Sequence, residues 1–212
     1  MGAIYLVLWL FLRIFACGIM NKLKTYFIAI ICMAALLAGC GDRRTDQMLS
    51  WIDTLMNNHA DSALQMLDSL KEEKSHWTKS QRMRYDLLLL KAENKAFVPL
   101  TSDSIAKDLV SYYNIWGNAN ERMMAHYLLG CVYRDKGDSP RAIESYLDAI
   151  NKADTTAKDC DFFTLSCVYS QMGGIFNNQL LLSNSIKAYQ EASKNALKSS
   201  KIFYGILNLE KI

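Results

Sequence analysis

An all-α fold built from paired helices is what this sequence predicts, and three observations predict it. Only two prolines, Pro99 and Pro140, interrupt 212 residues with long runs rich in Leu, Ala, Lys and Asp, and proline is the residue that breaks helix interiors. Apolar side chains recur at i, i+3, i+4 and i+7 through most of the chain after residue 46, the spacing of one helical face. A stripe, Ala142–Tyr146–Ala149, returns 43 residues later as Ser185–Tyr189–Ala192. Such a recurrence is expected of stacked helix pairs, each burying its apolar face against its neighbours. The spacing exceeds a strict tandem, and the extra residues are expected in longer helices and the turn around Asp154 to Asp161.

The first forty residues are of another kind. Met1 to Ile19 are almost wholly apolar, interrupted by Arg13. From Met20 a second segment begins afresh, with Lys22 and Lys24 as a charged start and Tyr26 to Leu36 as a short apolar core. Met20 is therefore the expected initiator and residues 1–19 a spurious extension; an extra apolar segment forming a membrane hairpin is the alternative. Leu37-Ala38-Gly39-Cys40 ends the second segment with small residues before a cysteine. This resembles a bacterial lipoprotein signal over residues 20–40. The resemblance implies cleavage before Cys40, acylation of its thiol and usually of its new amine, and a stable membrane anchor, since two or more acyl chains exceed the one that binds only marginally. An ordinary transmembrane helix with an incidental cysteine is the other reading, although the apolar core is short for a span. Gly41 after the cysteine, by the same resemblance, favours the outer membrane of a Gram-negative envelope, facing the periplasm.

Residues 41–45 read as a polar tether, and residues 46–212 as the helical domain. Met48, Trp51, Ile52 and Leu55 give one apolar face, and Ala63, Leu64, Leu67 and Leu70 a second after a break at Ala60–Ser62, making a pair over about 46–74. Thr78 followed by Gln81 fits a capping box. A helix to about Ala96 follows, with an apolar band wide enough to be buried on two sides. Pro99 closes it, Thr101 or Ser102 caps the next helix, and Ile105, Leu109, Tyr112, Tyr113 and Trp116 face inward, completing a pair over 78–116. Gly117–Asn120 is a turn before the pair at 119–156. Lys136-Gly137-Asp138 joins its two helices, and Pro140 stands where a helix start tolerates a missing N–H. A pair at 157–199 and an incomplete repeat at 200–212 follow, the latter apolar and without a partner, so the array is expected to continue beyond Ile212.

Numbered from Met123, Leu129, Gly130, Tyr133, Ala142, Tyr146 and Ala149 fall at positions 7, 8, 11, 20, 24 and 27 of a unit of about 34 residues. Gly173, Phe176, Ser185, Tyr189 and Ala192 repeat positions 8 to 27 when numbered from Ser166. The pattern resembles the tetratricopeptide repeat (TPR). Leu180 stands where that family usually has glycine, which predicts a longer turn there. The resemblance implies a concave groove lined by the first helix of each pair, with Tyr127, Arg134, Asn177 and Asn178 as candidate contacts for an extended peptide or a helix.

Chemistry is sparse. Residues 1–40 carry three basic and no acidic side chains, leaving 21 of each sign in the remainder; no clustered basic excess suggests nucleic acid. Ser104-Ile105-Ala106-Lys107 matches S-x-x-K, but no K-T-G follows and the helix's apolar spacing already explains the run. His59, His76 and His126 are far apart, no C-x-x-C pair occurs, and His126 and Cys131 point some 140° apart on one helix, so no metal or cofactor is expected. Cys131, Cys160 and Cys167 read as small buried side chains. The sequence thus points to a lipid-anchored, non-catalytic protein–protein interaction scaffold with a protein or peptide in its groove. The alternative is the sensor half of a membrane-associated TPR transcriptional regulator whose output region lies outside this chain.

Overall fold

A computed structural model describes residues 43–209, with side chains through residue 199. The chain divides into two compact units, Met1–Met48 and Leu49–Ile212. Of the first, residues 43–48 are described and form the opening of a helix. The extension at 1–19, the signal segment at 20–40 with Leu37, Ala38, Gly39 and Cys40, and Gly41–Asp42 of the tether lie outside the described residues. Among the described residues no helix is long and apolar enough to cross a membrane.

The described chain is all-helical: α1 Arg43–Leu55, α2 Ala60–Ser69, a 3-10 turn at Glu73–His76, α3 Lys79–Lys95, α4 Ser104–Trp116, α5 Ala119–Asp135, α6 Ser139–Lys152, α7 Phe162–Asn178 and α8 Leu182–Leu209. From α2 onward each helix packs on the next in sequence, and α3 with α5 and α5 with α7 also meet. A continuous core runs from Leu87 in α3 to Ala188 in α8, with Met123, Leu128, Val132, Tyr146 and Val168 wholly buried.

Several starts follow from local chemistry. The box at Thr78 forms: its Oγ accepts from the Gln81 N–H at 3.3 Å, and Gln81 Oε1 accepts from the Thr78 N–H at 3.0 Å. An equivalent box at Asn118 and Glu121 starts α5 with both hydrogen bonds at 2.9 Å, so Ala119 and Asn120 are helical where a turn was expected. Asp138 and Asp161 cap α6 and α7 through the N–H groups of Arg141 and Thr164. These bonds satisfy N–H groups that a helix start otherwise leaves orphaned.

Other expectations are corrected. Arg43–Thr45 belong to α1, not to a tether. Leu49, Ile52 and Met56 form the buried stripe at i, i+3, i+7, which turns Trp51 out to solvent. Trp116 is likewise exposed: Ala106, Leu109 and Tyr113 are the buried residues of α4, and Ile105, Val110 and Tyr112 pack against the core half-buried. Neither Thr101 nor Ser102 caps α4. Asp103 precedes it and uses its carboxylate on Lys107 (2.6 Å) and Lys136 (3.2 Å), bonds that hold its carboxyl well below the usual range. Residues 200–209 are not a separate repeat: the backbone of α8 runs unbroken from Leu182 to Leu209.

The turn at Leu180 is not longer either. Three residues separate α5 from α6 and three separate α7 from α8. Gly137 has φ +75° and Leu180 φ +61°. Asp138 N–H donates to Tyr133 O and Gly137 N–H to Arg134 O; Leu181 N–H donates to Phe176 O and Leu180 N–H to Asn177 O, all between 2.8 and 3.0 Å. Both are Schellman ends, in which a left-handed residue lets two N–H groups close on the last carbonyls. Phe97, at φ +58°, ends α3 the same way, with Val98 N–H on Glu93 O at 2.9 Å.

Candidate functional site

Helix α5 packs on both α3 and α7, and two cavities open among these three helices. The first, of about 520 Å³, has an apolar wall of Met124, Tyr127, Leu128, Phe163 and Cys167. Its polar rim includes Lys91, Asn94 and Lys95 of α3. The second, of about 670 Å³, lies between the Phe97–Pro99 connection, Arg134 and Asp135 at the end of α5, and Gln171 of α7. Asn94 and Lys95 line both.

The polar groups between the cavities are tied to one another. Asn94 Nδ2 donates to the Tyr127 hydroxyl at 3.4 Å, and Asn94 Oδ1 accepts from Arg134 Nη2 at 3.2 Å. Arg134 also grips Asp135, Nε at 2.8 Å and Nη2 at 2.7 Å from Oδ1, while Asp135 Oδ2 accepts the Leu100 N–H at 3.0 Å. Lys91 pairs with Asp53 at 2.6 Å. Lys95 Nζ donates to the Met56 carbonyl at 3.3 Å; burial, then the charge of Lys91, lowers its pKa.

Burial works against ionisation of the thiols and phenols at and beside these cavities. Burial pushes the Cys131 thiol up to about 11, and burial with the nearby Asp161 carboxylate raises Cys167; a thiol must lose its proton to react. Burial likewise raises the Tyr127 and Tyr146 phenols. Ser104 and Lys107 of the S-x-x-K run are exposed, and Lys107 is engaged with Asp103. Among the described residues no cluster of His, Cys, Asp and Glu is placed to hold a metal ion.

The signature residues fall at helix contacts. A Cβ on Gly130 would lie 2.3 Å from the Tyr146 ring, and one on Gly173 2.9 Å from the Tyr189 ring. Ala142, Tyr146 and Ala149 are wholly buried, and Tyr133 and Ala192 are buried. Phe176 packs on the core half-buried, and Tyr189 is exposed. Of the candidate groove residues, Tyr127 lines the first cavity and Arg134 the second. Asn177 and Asn178 are exposed at the end of α7 and line neither. Reading the sequence missed Lys91, Asn94 and Lys95, because the repeat pattern is weak in α3. The available signal was the second helix pair itself, whose first helix the repeat resemblance would place along the groove. Comparison with known proteins finds no matching family model and no matching curated protein.

Proposed function

We propose that this chain is a lipid-anchored, periplasm-facing TPR protein of a Gram-negative envelope, acting as a non-catalytic interaction scaffold. In this reading Cys40 carries the acyl anchor, the helix pairs stack as an α-solenoid, and a peptide or helix from a partner protein lies across α3, α5 and α7. One observation carries the scaffold reading: two adjoining cavities on those helices, bordered by amide, guanidinium and phenol groups that can hydrogen-bond a backbone. The anchor rests on the signal resemblance at residues 20–40. The close fits of Tyr146 on Gly130 and of Tyr189 on Gly173 support the pairing of helices that the reading needs.

In-cell photocrosslinking tests it. A photoreactive residue at Asn94 or Gln171 is expected to give discrete protein adducts, whereas one at Glu144, exposed on α6, is expected to give none. Equal adducts at all three positions would refute the groove. Cys40→Ala is expected to abolish acyl labelling and leave unprocessed precursor, and persistent labelling would remove the anchor.

A further inference from the structure

Helices α6 and α8 carry the same apolar stripe 43 residues apart, and only one of the two is covered. On α6, Ile143, Tyr146 and Ile150 lie under α7. The two helices pack together, Tyr146 is wholly buried, and Ile143 and Ile150 rest on a core to which α7 gives Leu165, Val168, Met172 and Ile175. On α8 the corresponding places are Ile186, Tyr189 and Ser193, with Leu182 and Leu197 extending the stripe at either end. Among the described residues this stripe stays open: Leu182, Ile186 and Leu197 are each more than half exposed, and Tyr189 nearly so. Four large apolar side chains along one helix face make a surface that receives another helix. None of them lines either cavity.

Charge separates the two faces. At about 100° per residue, Lys194, Lys187 and Lys198 stand about 100–140° round α8 from Ser193 at the middle of the stripe. From there long side chains reach a helix lying alongside. Lys198 also stands over the Phe162 ring, 4.7 Å from its centroid. Glu191 lies further round, at about 160°, and meets Lys194 at 3.2 Å with both side chains well exposed, a pair of the kind worth little in water. On α6 the places of Lys187 and Lys194 are held by Glu144 and Asn151. The border of the α8 stripe is therefore basic where that of α6 is acidic or neutral. We propose that the outer face of α8 docks an amphipathic helix of a partner protein, its apolar side chains at i, i+3, i+7 and i+10 on the Leu182–Leu197 stripe and acidic residues beside Lys187 and Lys194. The apolar spacing is that of Leu165, Val168, Met172 and Ile175, by which α7 buries itself, and the acids follow from the lysine border.

Two synthetic helical peptides test it, both with leucine at i, i+3, i+7 and i+10, one flanked by glutamate and the other by lysine. Binding is read from the Ile186 methyl signals of the full chain, held in nanodiscs of zwitterionic lipid. The glutamate peptide should shift these signals saturably and bind about tenfold more tightly than the lysine peptide at low salt. Added salt should narrow that margin. Leu197→Asp should abolish binding, and Lys187→Glu combined with Lys194→Glu should reverse the preference. All three positions are exposed, so the urea midpoint should stay where it is. Equal binding of the two peptides, no binding of either, or binding that survives Leu197→Asp would overturn the site. Ile186 shifts that follow chain concentration without peptide would give the face to a second copy and overturn the partner. Adducts at Asn94 and Gln171 stand or fall separately, since neither the cavities nor the anchor enter this test.

Discussion

The pairs α5/α6 and α7/α8 follow the same local rules and end in different surroundings. Gly130 and Gly173, Tyr146 and Tyr189, Gly137 and Leu180 occupy matching places, each 43 residues apart, with matching turn hydrogen bonds. Yet Tyr146 is 0% exposed and Tyr189 is 44% exposed. α6 has α7 packed on it, while the stripe Ile186, Tyr189 and Leu197 of α8 faces solvent among the described residues. A sequence signature therefore specifies how two helices meet, and the next helix decides how much that meeting stabilises the fold.

The sharpest test of this difference is truncation of the two tyrosines. Tyr146→Ala should cost about 3–5 kcal/mol in urea unfolding, the range for a large aromatic removed from a core. Tyr189→Ala should cost about 1 kcal/mol, because much of its ring already meets water. Equal costs would break the comparison. The glycines come next. Alanine at either position gains about 1 kcal/mol of helix propensity, but at Gly130 the new methyl collides with a ring that has nowhere to go. Gly130→Ala should be destabilising by about 1–2 kcal/mol after that gain, and Gly173→Ala close to neutral, with Tyr189 free to yield. A smaller effect separates the turns. Gly137→Ala should cost about 1 kcal/mol, since φ is positive and the site is otherwise open. Leu180→Gly should gain about 0.5 kcal/mol, as relief of left-handed strain exceeds the entropy glycine adds to the unfolded chain.

The smallest effect is a pH dependence confined to the first of these pairs. His126 on α5 is buried, with Nε2 3.2 Å from Asn114 Oδ1 and Nδ1 3.7 Å from the Asp148 carboxylate without a hydrogen bond. Burial lowers its pKa, Asp148 opposes that, and Lys152 adds to it. The unfolded imidazole takes its proton near 6.5, before the folded one does, so stability is full above that pH and falls as pH drops through the lowered folded value. Urea midpoints should decline on acidification, and His126→Gln should flatten the decline.

Much of this architecture was legible because it is written in local chemistry. Thr78 and Gln81 announce a helix start in two letters, and the glycine facing a tyrosine is visible as spacing. The Asn118–Glu121 box was equally local but obscured by the glycine and asparagines around it, which read as a turn. Trp51 and Trp116 misled because size suggests burial, whereas the rotation of a helix is set by which of several apolar stripes meets a neighbour. Leu180 misled for a related reason: two hydrogen bonds at the helix end outweigh a left-handed cost of about 1–2 kcal/mol. The site was least legible. Tyr127 and Arg134 follow from the repeat resemblance, whereas Lys91, Asn94 and Lys95 become visible only once the structure puts them in the cavity lining.

The connection between α3 and α4 has a mechanical side. Its Leu100 N–H hangs from Asp135 and its Asp103 carboxylate from Lys136, so two consecutive residues at one helix tip suspend it at two points. Phe97, Val98 and Pro99 span the interval between these anchors and the end of α3, where Val98 N–H closes on Glu93 O at 2.9 Å. The side of the second cavity that Phe97–Pro99 form is thereby joined through side chains to the end of α5, next to Gly137 and its left-handed turn.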